Sequence, residues 1–178
     1  MIHNHSTESR EEILGMRGMF EHRALWLYYL LQEAKAKGNL DWETLRGAIR
    51  NCGMYQGHGL RTACGESNSC TQFKEAWLPD SCLALFDMEI VQLDQDHLNI
   101  DYHYCPLVKA WEKLGCTEEE IARLCEIAMD GDRGIADSMG YSFHLDTAIA
   151  RGDSVCSVRF TRNSACAECG KCEEGTAK

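Results

Sequence analysis

From His97 to Cys105 polar and apolar residues alternate without a break, and Pro106 ends the alternation. Leu98, Ile100, Tyr102 and Tyr104 fall on one side of such a strand; His97, Asn99, Asp101, His103 and Cys105 fall on the other. A strand of this kind has one face to bury and one to leave wet, the mark of an antiparallel sheet covered on a single side. Residues 82–93 alternate as well, with Phe86, Met88 and Ile90 opposing Asp87 and Glu89, and Asp94-Gln95-Asp96 supplies a turn between the two stretches. Together they predict a hairpin. Pro106 is suited to the first position of a helix, where its missing N–H is no loss. The strand is therefore expected to run straight into a helix over 106–114, stopped by Gly115.

The remaining segments can be assigned around that hairpin. Residues 1–7 read as a frayed tail. Ser9 and Glu12 fit a capping box for a first helix that carries Ile13, Met16, Phe20, Leu27 and Leu31 and stops at Gly38-Asn39. Asp41 can cap a second helix carrying Leu45, Ala48, Ile49 and Cys52, with Gly53 as its stop. Residues 53–81 read as an irregular, glycine-rich connection. Thr117 and Glu120 fit another capping box, and Ile121, Leu124, Cys125 and Ala128 then share one helical face. Gly131-Asp132-Arg133-Gly134 bends or interrupts that helix. Strands follow near 142–145 and 154–162, with Arg151-Gly152-Asp153 as the turn before the last. The expected fold is α+β: an N-terminal helical pair over 8–53, then an antiparallel sheet with helices on one face over 82–162, within a single domain of 178 residues that ends in a cysteine-rich tail at 164–178.

Bulk properties narrow the function. A net charge of −10 repels phosphate backbones and argues against nucleic-acid binding. No apolar run approaches the ~20 residues that span a bilayer. The opening MIHNHSTESREE has no apolar stretch, so a cytoplasmic protein acting on a small molecule is expected, with homo-oligomers permitted. Eleven cysteines in such a chain then read as free thiols, metal ligands or catalytic groups rather than as a disulfide framework.

Cys105 carries the clearest chemical signal. At a helix N-terminus it lies beside unpaired backbone N–H groups and the positive end of the helix dipole, an environment expected to lower its pKa and sharpen it as a nucleophile or metal ligand. His103, two residues earlier on the same side of the strand, can serve as its base. Cys156 shares a face with Val158 and Phe160, while Ser157, Arg159 and Thr161 share the other. Cys125 and Cys156 are read equally well as buried core residues.

From about residue 100 to 162 the chain resembles the L-2-amino-thiazoline-4-carboxylic acid hydrolase family. The resemblance is carried by Cys105 opening CPLVKAWEKLG, by Leu124-Cys125, by Asp132 with Ala136 four residues on, by Gly152-Asp153, and by Cys156-Ser157-Val158-Arg159-Phe160. More loosely, His22-Arg23-Ala24 and residues 42–53 are similar to family members. The resemblance implies a hydrolase that opens a small sulfur- and nitrogen-containing ring by adding water at the ring carbon and breaking a C–S bond. It implies Cys105, or a cysteine-held metal, as nucleophile or hydroxide source, with Cys125 and Cys156 nearby. It further implies Asp132 as general acid or base, with Asp130 as a competing candidate, and Arg159 as the partner of a substrate carboxylate.

The tail offers a different chemistry. Cys166, Cys169 and Cys172 have the Cys-x2-Cys-x2-Cys spacing of iron–sulfur ligands, and zinc suits the same thiolates. Cys52, His58, Cys64 and Cys70 recur at six-residue intervals that match no standard ligand spacing. The alternatives to a hydrolase are accordingly a cysteine-ligated metal or cluster protein with a sensing or carrier role, and a small-molecule-binding domain without catalysis.

Overall fold

The computed structural model describes residues 1–163. Four strands form one antiparallel sheet in the order β1-β2-β4-β3: β1 Met88–Leu93, β2 His97–Tyr102, β3 Tyr141–Thr147 and β4 Cys156–Arg162. Helices α1 (Glu11–Ala36), α2 (Trp42–Cys64), α3 (Cys70–Trp77), α4 (Asp80–Leu85), α5 (Pro106–Lys113), α6 (Glu118–Ala128) and α7 (Asp130–Met139) complete the fold. The α+β expectation holds. Asp94 accepts from the backbone N–H groups of Asp96 and His97, which closes the β1–β2 turn. Strand alternation does the rest. Leu98, Ile100, Val158 and Phe160 are buried, whereas Asn99, Asp101, Arg159 and Thr161 keep contact with solvent.

Several local signals work as expected. Asp41 caps α2 by accepting from Glu43 N–H, and Thr117 with Glu120 forms the capping box of α6. Cys105 and Pro106 stand at the N-cap and first turn of α5. The Ser9–Glu12 box does not form. Instead the Glu8 carboxylate accepts from the backbone N–H groups of Ser9 and Arg10 just before α1.

The largest departure lies between residues 53 and 87. Gly53 does not stop α2, which runs on to Cys64; the expected connection also contains α3, and α4 takes up the start of the stretch 82–93 expected as a strand, which begins only at Met88. The reason is close packing. A Cβ on Gly53 would fall 1.9 Å from the Gly131 carbonyl oxygen, one on Gly134 2.1 Å from the Arg50 carbonyl oxygen, and one on Gly57 2.7 Å from Ser138 Cβ. These glycines let α2 and α7 touch backbone to backbone, so their lack of a side chain is used for approach rather than for termination. Ser138 Oγ donates to Met54 O across the seam, and Arg46–Asp130 and Arg50–Asp137 flank it. The α6–α7 helix bends at Met129, whose backbone stays helical, just ahead of Gly131.

The N-terminal segment is also not frayed. Asn4 is buried, Ile2 packs into the core, and Ser6 Oγ accepts from Arg17. Arg17 is itself 4% exposed and ties three elements together: it donates to Ala84 O and Leu85 O, pairs with Asp87, and lies 4.1 Å over the Tyr104 ring.

Two apolar clusters cover the inner face of the sheet. One gathers Trp111, Leu124, Ile149 and Cys156 with α1, α5 and α6. The other gathers Phe73, Ile135, Tyr141 and Phe160, with Phe73 stacked on Trp77 at 5.0 Å. Tyr102 and Leu145 pack against both. No helix among the described residues is long and apolar enough to cross a membrane.

Candidate active site

Where the two clusters meet, they leave a cavity of about 250 Å³. Its wall combines residues far apart in the chain: Arg23 from α1, Tyr102 at the end of β2, Cys105 at the start of α5, Cys125 from α6, Asp132 from α7 and Cys156 from β4. Four of the site residues expected from sequence therefore converge on one space.

Each is placed by a separate local cause. β2 ends at Tyr102, so the alternation stops before Cys105. The chain turns through His103 and Tyr104, whose N–H groups donate to Asp87 O and Phe86 O. Cys105 consequently joins Tyr102 at the cavity rather than the solvated face. Asn4 grips its backbone from both sides, with Nδ2 donating to Cys105 O at 2.9 Å and Oδ1 accepting from Cys105 N–H at 2.8 Å. Asp132 reaches the cavity because the Gly53–Gly131 contact draws the first turn of α7 against α2. Cys156 pairs in register with Tyr102, and its Sγ accepts from Ile149 N–H at 3.2 Å.

The electrostatics differ from the expectation for Cys105. Burial pushes its thiol up to about 11, against the backbone N–H groups of Val108 and Leu107, which favour the thiolate. Asp132 raises it further and Arg23 lowers it. The helix N-terminus acts in the expected direction, but removal from water outweighs it. Burial likewise pushes Cys156 up to about 12, and it pushes Cys125 and the Tyr102 phenol well above their ordinary values. Asp132 is raised to about 6 by burial, with Arg23 pulling the other way. At neutral pH the cavity therefore holds protonated thiols beside a carboxylate that titrates close to neutrality, a pair suited to passing one proton.

Asp130 does not share this environment. Although burial raises it, hydrogen bonds from Arg46 and Arg133 outweigh that and hold it below the usual carboxylate range. It is bound up in ion pairs outside the cavity, and Asp132 is the one of the two that lines it.

Two expected residues are not brought to the site. His103 is exposed and faces Glu89 at 3.4 Å, because the strand has already ended where it was expected to continue. Arg159 lies on the outer face of the sheet, 2.9 Å from Asp101, and donates to Ile100 O and Val158 O. The register from Tyr102–Cys156 to Asn99–Arg159 runs without a bulge, so no twist of β4 carries Arg159 inward. The cation at the cavity is Arg23 instead, exposed at its mouth. Its signal in sequence was only its place in the His22-Arg23-Ala24 segment.

Among the described residues no group of three or more His, Cys, Asp or Glu side chains could hold a metal ion. Cys52 and His58 are exposed on α2 while Cys64 and Cys70 are buried, so the six-residue repeat forms no ligand set. Cys166, Cys169 and Cys172 lie outside the described residues.

No curated protein and no solved structure matches this chain. A family model described as L-2-amino-thiazoline-4-carboxylic acid hydrolase matches residues 17–160. The match takes in Arg23, the α2–α7 seam, Tyr102, Cys105, Cys125, Asp132 and Cys156, and reaches well beyond the stretch that carries the motifs. The chain belongs to the L-2-amino-thiazoline-4-carboxylic acid hydrolase family.

Proposed function

We propose that the protein is a cysteine-dependent hydrolase that opens a small cyclic amidine bearing a carboxylate, of the 2-amino-thiazoline-4-carboxylate type. The observation that carries this reading is the meeting of Cys105, Asp132 and Arg23 in one largely apolar cavity. Family membership supports the same direction.

The substrate carboxylate pairs with Arg23 at the mouth, leaving the ring inside. Cys105 Sγ attacks the amidine carbon while Asp132 takes its proton, which offsets the unfavourable ionisation of a buried thiol. The ring C–S bond then breaks, and the departing ring sulfur receives the proton from Asp132. A water adds to the carbon now held on Cys105, the bond to Sγ breaks, and the thiol is re-formed with the water's proton. The net change is substrate plus one water to a ring-opened urea carrying a free thiol. Val108 and Leu107 N–H groups favour the thiolate as it forms and as it leaves.

The test is turnover of 2-amino-thiazoline-4-carboxylate followed by mass spectrometry, with Cys105→Ser and Asp132→Asn as controls. Ring opening by the wild type and its loss in both variants is expected. Binding without turnover would favour the non-catalytic alternative, and no binding at all would sink this substrate class.

A further inference from the structure

We infer that Asn4 is a positioning residue for Cys105, and that the N-terminal segment before α1 is thereby part of the reacting site. The inference rests on the reading of Cys105 as the reacting thiol. Asn4 is 2% exposed, in a segment where His3 and His5 on either side are exposed. Its carboxamide makes two hydrogen bonds, both to the backbone of Cys105, in the manner of a neighbouring strand. β2 has ended three residues earlier, so no ladder supports Cys105 at this point. The Cys105 carbonyl also accepts from Lys109 N–H in the first turn of α5, so Asn4 adds a second donor there and supplies the partner of the Cys105 N–H.

The consequence for the thiol is geometric. Sγ stays beside the unpaired first-turn N–H groups of α5 only while Cys105 keeps its extended N-cap conformation, φ −132° and ψ 112°. That conformation is what the Asn4 clamp fixes. The segment holding Asn4 is anchored on both sides: Ile2 packs into the core, and Ser6 accepts from Arg17 at 2.8 Å. Arg17 in turn lies over Tyr104, the residue before Cys105. The family match begins at residue 17, so Asn4 lies outside it.

The experiment compares the wild type with Asn4→Ala and Asn4→Asp in the full chain. Alkylation of each cysteine by iodoacetamide is followed by peptide mass spectrometry from pH 7 to 10, with Cys125 and Cys156 as internal references. Asn4→Ala removes both bonds; Asn4→Asp keeps the acceptor for Cys105 N–H and sets a carboxylate against Cys105 O. The expected result is a rate at Cys105 lower by about threefold to tenfold in Asn4→Ala, with its pH profile moved upward and the two reference thiols unchanged; one pKa unit upward is a tenfold loss of thiolate. Asn4→Asp should fall between Asn4→Ala and the wild type. An unchanged Cys105 profile in both variants overturns the inference. So does an equal rise at all three thiols, which would mark a general loosening. These readouts need no substrate, so they decide the role of Asn4 even if the wild type opens no thiazoline ring. Where it does, kcat should fall by more than about tenfold in Asn4→Ala with KM little changed, since Asn4 does not line the cavity.

Discussion

On β4 the two faces of the sheet can be compared one residue apart. Cys156, Val158 and Phe160 face the helices, and Ser157, Arg159 and Thr161 lie on the outer face, where Arg159 and Thr161 keep contact with solvent and Ser157 is buried. On the solvent face polar groups partner one another: Arg159 with Asp101 and Asp146, and Ser157 with Asp101. Water screens these pairs, and they contribute modest energy. On the covered face burial drives every thiol named at the cavity toward its neutral form and raises Asp132 to about 6. The same contrast recurs on α7, where Asp130 is ion-paired and Asp132, two residues on, lines the cavity. The thiols and the carboxylate that burial pushes toward their neutral forms at the cavity lie on the covered side, and that is where chemistry is expected.

The sharpest way to break this comparison is to remove the reacting thiol. Cys105→Ser should lower ring-opening turnover by at least ~10³-fold, as deletion of a nucleophile does elsewhere. Circular dichroism and melting temperature should stay close to the wild type, because the change exchanges a single side-chain atom and keeps the backbone bonds of Cys105 to Asn4. Full activity in this variant would move the chemistry away from the covered face.

Asp132→Asn should separate activity from stability. As the proton acceptor Asp132 is worth about 10²–10⁴-fold in rate, and kcat/KM in the wild type should fall as pH drops through about 6. For stability the sign is opposite. The folded-state pKa is raised above the unfolded value, so the folded state is favoured below about 4 and loses that advantage as pH rises through about 6. Above that range the buried charge costs up to about 3 kcal/mol. Asn at this position should therefore melt higher than the wild type at pH 8, and the difference should vanish near pH 4. A variant that melts lower at pH 8 would show that the carboxylate is stabilised by its surroundings after all.

Local rules in the sequence reached the hairpin, the caps at Asp41 and Thr117, and the Cys105–Pro106 helix start, because each depends on neighbours within a few residues. The alternation of β4 also placed Cys156 and Arg159 on opposite faces, against the carboxylate role that family resemblance implied for Arg159. What stayed hidden was set by distant partners. Gly53 reads as a helix stop until Gly131 is known to lie against it. Asn4 belongs to a polar tail until Cys105, 101 residues later, is known to need it. The pKa of Cys105 could not be judged from its helix position alone, since burial depends on every element around the cavity.

The α2–α7 seam can be probed against the exposed side of α1. Gly53→Ala places a methyl group where the Gly131 carbonyl stands, and should cost about 1–3 kcal/mol or more as the helices part. Turnover should fall with it, since the same contact presents Asp132. Gly15 lies on α1, where an added methyl group would meet nothing within 4 Å, so Gly15→Ala should stabilise by up to about 1 kcal/mol. Denaturant melts of the two single variants measure both signs. Equal, small shifts would mean that α2 and α7 can slide apart without penalty.

The smallest expected effect belongs to Arg159, and it tests the solvent face directly. Its guanidinium is partly exposed at 23%, and its Asp101 partner is equally open. Arg159→Lys keeps the charge and loses the fork that reaches Asp101, Ile100 O and Val158 O together. Pairs of this exposure contribute about 1 kcal/mol or less, so the melting temperature should drop slightly and the drop should shrink in high salt. KM and kcat for the thiazoline carboxylate should stay within about twofold, because the sheet itself stands between this side chain and the cavity, and a lost contact to a buried substrate carboxylate costs far more than that. Arg23→Lys should behave differently and raise KM several-fold, since it changes the cation at the mouth. If Arg159→Lys raised KM and Arg23→Lys did not, the substrate would have to bind across the outer face, and the division of labour between the two sides of the sheet would be reversed.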